Sequence, residues 1–159
     1  MHVRYPLATP AVQSIDPLDH VMNPFDFSWM HGRRVSVALS EPATWVFSLG
    51  DACAVAVECP WRLIHHGRIT VSGEDHLQMY GLKSAIDAGA KASSFIAGRV
   101  VTSVIVQAGT ADLILGFGDS LRLEICPFSS GYESWSVSAP GSARVVAQGG
   151  GTLQLMRTV

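Results

Sequence analysis

At 159 residues, with 48% hydrophobic and 15% charged residues and a formal net charge of −2, the chain can bury one substantial core and is too apolar to be disordered. Its cations are scattered, with Arg33-Arg34 the densest cluster, which argues against binding that neutralises a row of nucleic-acid phosphates. No apolar run reaches the ~18 residues of a membrane span. Three cysteines without a Cys-x-x-Cys spacing argue against a disulfide framework or a cysteine-rich zinc site.

Pro6, Pro10, Pro17 and Pro24 make up half of the eight prolines. They predict an N-terminal arm over residues 1–27 with little regular structure, its apolar residues docked on the body. The arm has no charged region followed by an apolar run, so no secretory leader is expected. The expected compartment is the cytoplasm, where Cys53, Cys59 and Cys126 stay reduced.

After the arm, the chain runs through one pattern twice, over about 28–74 and 95–155. Gly32-Arg33-Arg34-Val35 opens the first half and Gly98-Arg99-Val100-Val101 the second. Trp45 to Asp51 matches Leu113 to Asp119, with Gly50-Asp51 facing Gly118-Asp119. Glu58-Cys59-Pro60 matches Glu124 to Pro127 with a one-residue slip, and Trp61 recurs as Trp135. Blocks recurring in the same order mark an internal duplication.

Within the blocks the period is two. Val35, Val37 and Leu39 alternate with Ser36, Ala38 and Ser40. Trp45, Phe47 and Leu49 alternate with Val46 and Ser48, Leu113, Leu115 and Phe117 do the same, and Leu121, Leu123 and Ile125 alternate with Arg122 and Glu124. This predicts half-buried antiparallel strands joined at Gly-Asp hairpins. Between the halves, residues 82–95 lack proline and predict a connecting helix with Leu82, Ile86 and Phe95 as its apolar stripe. The expected fold is mainly β: a duplicated antiparallel meander forming a pseudo-twofold sandwich or barrel, its halves linked by a short helix.

Gly118-Asp119-Ser120-Leu121 has the form of a serine-hydrolase motif. The repeat supplies a control, because the counterpart is Gly50-Asp51-Ala52-Cys53, with no hydroxyl. None of the six histidines follows Ser120, and a strand rather than a helix is expected after it. The turn reading is preferred, and no catalytic residue is assigned. Asp51, Asp119, Glu58 and Glu124 are repeat-related, but the aspartates fall in hairpin tips, and the glutamates are expected to pair with Arg33 and Arg99. His65 and His66 point to opposite faces of a strand, so no metal site or cofactor is expected. The Gly149-Gly150-Gly151 run precedes a strand and is not a phosphate cradle.

Trp61 and Trp135 are expected core anchors, and Gly32, Gly98, Gly50 and Gly118 structural turn residues. The insertion from Phe128 to Ser134 has no counterpart in the first half. Phe128, Tyr132 and Glu133 there, with His65 and His66 in the other hairpin, are the expected partner contacts.

Glu-Cys-Pro-Trp-Arg-Leu (58–63), Leu-x-Phe-Gly-Asp (115–119), Gly-Tyr-Glu-x-Trp (131–135) and the late glycine run resemble a group of small bacterial proteins of unknown function. The likeness spans roughly residues 30–155 and implies fold rather than activity. Some members of that group are candidate immunity-type proteins, so it implies a non-catalytic interaction module that binds and blocks a protein partner such as a toxin. A small-molecule-binding barrel or sandwich is the alternative, and an unrecognised hydrolase is less favoured. Homodimerisation through strand edges fits each; nucleic acid and membrane are not expected partners.

Overall fold

The computed structural model describes residues 25–40, 44–50, 53–138 and 143–157. Most of the expected arm, together with Asp51, lies outside the described residues. The chain is mainly β, with two antiparallel sheets and one short helix. The first half holds β1 (Val35–Ser40), β2 (Thr44–Leu49), β3 (Ala54–Val57), β4 (Trp61–His65) and β5 (Arg68–Ser72). Helix α1 (Ala88–Ile96) follows. The second half holds β6 (Ser103–Val106), β7 (Leu113–Gly116), β8 (Leu121–Ile125), β9 (Trp135–Ser138), β10 (Ala143–Gln148) and β11 (Thr152–Arg157).

Strand order is β1-β2-β3-β9-β10-β11 in one sheet and β5-β4-β8-β7-β6 in the other. The sheets stay separate and face each other as a sandwich, not a closed barrel. Each half crosses between them: β1–β3 lie in the first sheet and β4–β5 in the second, while β6–β8 lie in the second and β9–β10 in the first, with β11 added at the edge of the first. Exchanging β1–β5 with β6–β10 converts β1-β2-β3-β9-β10 into β6-β7-β8-β4-β5, the order of the second sheet. The topology is therefore pseudo-twofold.

The strand register supports this residue by residue. Trp45 faces Val57 as Leu113 faces Ile125, and Trp61 faces Ile125 as Trp135 faces Val57. The Glu58 amide donates to Ser134 O and the Cys126 amide to Pro60 O, both at 2.9 Å. Those bonds align Glu58 with Cys126 and Glu124 with Ala56. The two glutamates are thus not structural counterparts, although their flanking sequences look alike.

Alternation works as expected because period-two side chains share a sheet face. Phe47, Leu49, Val55, Val57, Trp135 and Val137 from one sheet meet Trp61, Leu63, Leu115, Leu123 and Ile125 from the other, all buried. Trp45 packs edge-on against Trp61, with ring centroids 5.1 Å apart. Phe27 is buried edge-on against Trp135, so the packed body begins within the segment expected to be arm.

The helix departs from expectation. It begins at Ala88 because Asp87 caps it, its side chain accepting the Ala90 amide at 2.9 Å. Leu82 lies instead in an ordered loop, 56% exposed, where the Leu77 amide donates to Ile86 O and the Ile86 amide to Gln78 O. The buried stripe is Ala88, Ala92 and Ile96, spaced by four. Small residues on that stripe let α1 pack against β1 and β5, one edge strand from each sheet. Gly89 belongs to the same fit: a Cβ there would sit 3.3 Å from the Trp45 ring. Among the described residues no helix is long and apolar enough to cross a membrane.

Candidate functional site

The two crossovers between sheets are equivalent but unequal in length. In the first half, Cys59 alone separates Glu58 from Pro60; in the second, residues 127–133 separate Cys126 from Ser134. The extra residues form a loop with its own internal bonding. Ser129 Oγ accepts the amides of Gly131 (3.2 Å) and Tyr132 (3.0 Å). The Gly150 amide donates to Ser129 O at 2.9 Å. Gly149 lies so close to Gly131 that a Cβ would come within 2.6 Å of the Gly131 backbone. The glycine run therefore serves as a backbone seat for this loop.

With its base seated, the loop leaves Phe128 79% and Tyr132 81% exposed, the highest values for large hydrophobic side chains among the described residues. They line a depression of about 350 Å³ with Glu133, Glu58, Cys59 and Pro60. The expected contacts Phe128, Tyr132 and Glu133 are thus brought together, and the first-half crossover completes their surroundings. Sequence reasoning missed Glu58, Cys59 and Pro60 as its lining. The signal is the pseudo-twofold strand order, which places the two crossovers in matching positions. Both Glu58 and Glu133 are exposed. Thr44 Oγ1 donates to Glu58 at 3.4 Å and Gln148 Nε2 to Glu133 at 3.3 Å. A smaller adjoining hollow holds Arg144, which donates to Ser136 Oγ at 2.9 Å.

Cys59 is a poor nucleophile at neutral pH. Burial, then the neighbouring Cys126, push its thiol up to about 12. Burial also raises Cys126.

His65 and His66 sit elsewhere. Pro60 reaches the depression, whereas His65 ends β4, about 17 Å further along at the usual strand rise. The rings of His65 and His66 do not point to opposite faces as expected: His66 leaves the strand for the turn, and the two rings lie tilted against each other with centroids 4.0 Å apart, His65 also meeting Phe95. His66 and Gly67, at φ 49° and 75°, form the two-residue hairpin turn. The structure separates these histidines from the 128–134 loop.

They lie instead beside the Gly-Asp-Ser turn, where the His66 amide donates to Ser120 O at 3.1 Å. This contact is backbone to backbone, and the Ser120 hydroxyl makes no hydrogen bond among the described residues. Gly118, Asp119 and Ser120 all have positive φ (75°, 48° and 58°), and the Leu121 amide closes the turn on Gly118 O. Gly50 has the matching φ of 75°.

The expected glutamate–arginine pairs are replaced by others. Arg99 pairs with Asp119 at 2.9 Å. Arg33 donates to Trp29 O and Leu49 O and lies over the Trp29 ring. Glu124, on the outer face of the second sheet, is held between Arg122 at 2.6 Å and Arg62 at 2.7 Å. Both arginines belong to the Glu124 ladder: Arg62 faces it across β4 and β8, and Arg122 lies two residues away on its own strand. Arg99 instead reaches the hairpin tip next to its own segment.

Neither the curated proteins nor the solved structures include a significant match to the chain. Residues 27–157 match the family of unknown function DUF6188. That span takes in every described strand, the helix and both crossovers, so the chain belongs to this family.

Proposed function

We propose that this protein is a non-catalytic interaction module whose contact surface is the 128–134 loop with the facing Glu58 crossover. The observation that carries this reading is the exposure of Phe128 and Tyr132 on a loop seated by Gly149 and Gly150. Large aromatic groups on a preorganised loop supply contact area at low ordering cost, and such residues dominate protein interfaces. The resemblance to immunity-type bacterial proteins suggests a toxin as the partner and occlusion of its working surface as the effect. A duplicated ancestor explains the scaffold, in which one copy gained the longer crossover. Reduced, weakly reactive thiols suit a cytoplasmic setting.

The test is a comparative pull-down from the native host, read by mass spectrometry. A specific protein should be retained by the native chain, lost with Phe128→Ala/Tyr132→Ala, and kept with Ile69→Ser on the distant β5. A partner indifferent to the double substitution would remove the proposed surface.

The depression itself favours a second reading, capture of a small molecule. Its volume of about 350 Å³ falls at the low end for ligand sites. A metabolite that co-purifies and is displaced by Tyr132→Ala, with no protein retained, would select it. Homodimerisation through the edge strands β6 and β11, which expose Ile105 and Met156, is compatible with either.

A further inference from the structure

We infer that the depression beside Glu58 receives a cationic side chain, arginine or lysine, from the partner; this rests on the interaction reading above. Glu58 and Glu133 both line it, and neither forms an ion pair among the described residues. Each accepts a single long hydrogen bond from a neutral group, at 3.4 Å from Thr44 and 3.3 Å from Gln148. Arg144 shares the adjoining hollow with both glutamates but pairs with neither, donating instead to Ser136 Oγ.

The lining therefore joins two unpaired carboxylates to two exposed aromatic rings. Aromatic faces attract cations through the ring quadrupole, and carboxylates through direct charge. A neutral occupant would cover the carboxylates without replacing their hydration. An acidic occupant would be repelled. A guanidinium or ammonium on a long aliphatic stem satisfies both features, with the stem against Phe128 or Tyr132 and the head between the glutamates. The seated loop means that little ordering accompanies entry.

The test is titration of the isotope-labelled full chain with Ac-Gly-Arg-Gly-NH2, followed by amide NMR, with the citrulline peptide as an isosteric neutral control. The arginine peptide should give saturable shifts confined to Glu58 and residues 128–134. Binding should weaken at least about tenfold with citrulline, with added salt, and in Glu58→Gln/Glu133→Gln. The double variant should keep the native melting temperature, since both residues are exposed. Equal binding of the citrulline peptide, or no saturable shift at the loop, overturns the inference. So does a protein partner that needs Phe128 and Tyr132 but ignores Glu58→Gln/Glu133→Gln, an outcome that leaves the interaction reading intact. Arginine-peptide binding without any retained protein would support the cation site and remove the protein reading.

Discussion

Arg34 and Val100 form an antiparallel bridge, and they occupy equivalent places, two residues after Gly32 and Gly98. A contact between equivalent residues lies on the axis that exchanges them. Around it, the Gly32 amide donates to Val101 O at 2.8 Å and Arg34 Nη1 to Gly98 O at 2.7 Å. Gly32 and Gly98 sit at φ 76° and 74°, a region that favours glycine. The Gly-Arg blocks that open each half are thus the place where the halves meet. Since each half contributes strands to both sheets, neither can bury its apolar face without the other.

The two equivalent tryptophans should respond unequally to the same change. Trp135 Nε1 donates to Ala111 O at 2.8 Å, while Trp61 Nε1 is buried without a hydrogen-bond partner among the described residues. Trp135→Phe removes ring volume and orphans a carbonyl, whereas Trp61→Phe removes ring volume together with an unpaired donor. Urea unfolding should show Trp135→Phe costing about 1–2 kcal/mol more than Trp61→Phe. Equal costs would mean that the indole bond contributes little.

The loop seat predicts a sharp glycine effect. Gly149→Ala places a methyl against the Gly131 backbone, which cannot swing aside as a side chain would. Gly67→Ala adds a methyl in open space and meets only its φ of 75°. Thermal unfolding should show about 1–2 kcal/mol lost for Gly67→Ala and distinctly more for Gly149→Ala. Gly149→Ala should also make the 128–134 amides exchange faster, because their anchor is displaced. An effect no larger than that of Gly67→Ala would show that the loop is held by other contacts.

Much of this was legible in the sequence, and the rest was not for identifiable reasons. Alternation at Trp45, Phe47 and Leu49, and again at Leu113, Leu115 and Phe117, encodes a buried face directly. The partition of each half between sheets is different, because alternation is blind to which sheet a strand joins. Glu58 and Glu124 look equivalent since both precede Cys-Pro closely, and only the register makes Ala56 the counterpart of Glu124. The helix was misplaced because its contact stripe is Ala88, Ala92 and Ile96, weak in hydropathy, while Leu82 is strong but exposed. That misplacement also hid an apolar loop with Leu77, Met79, Tyr80 and Leu82 exposed. At the depression, the insertion pointed to Phe128, Tyr132 and Glu133, whereas Glu58 enters through tertiary pairing alone.

Glu124 should make stability depend on acid pH. Burial works to raise its pKa, but the hydrogen bonds and charges of Arg122 and Arg62 prevail and hold it below the ordinary 4.5. The unfolded chain therefore takes up the proton more readily than the folded one. This contribution to stability is complete above about pH 4.5 and is lost as pH falls through the lower folded value. Glu124→Gln should cost about 1–3 kcal/mol at pH 7 and flatten the acid limb of a stability–pH profile. An acid limb as steep as in the native chain would assign that dependence to other carboxylates.

Ser120 is the residue whose role the fold changes most. Its φ of 58° and the 48° of Asp119 make the pair the centre of a primed turn, closed by the Leu121 amide on Gly118 O at 2.9 Å. Asp-Gly suits such a turn better than Asp-Ser, because a side chain in the left-handed region costs about 1–2 kcal/mol that glycine avoids. Glycine loses more freedom on folding, which offsets part of that gain. Ser120→Gly should therefore raise stability by about 0.5–1 kcal/mol. Asp119→Asn, which weakens an exposed pair with Arg99, should change it by less than about 1 kcal/mol. If Ser120 held a strained conformation for chemistry, the same Ser120→Gly variant would gain stability and lose activity together, so binding and any turnover should be measured on it beside the melting temperature. Stability gained with partner capture unchanged is the expected result, and it would fix the Gly-Asp-Ser stretch as a hairpin turn.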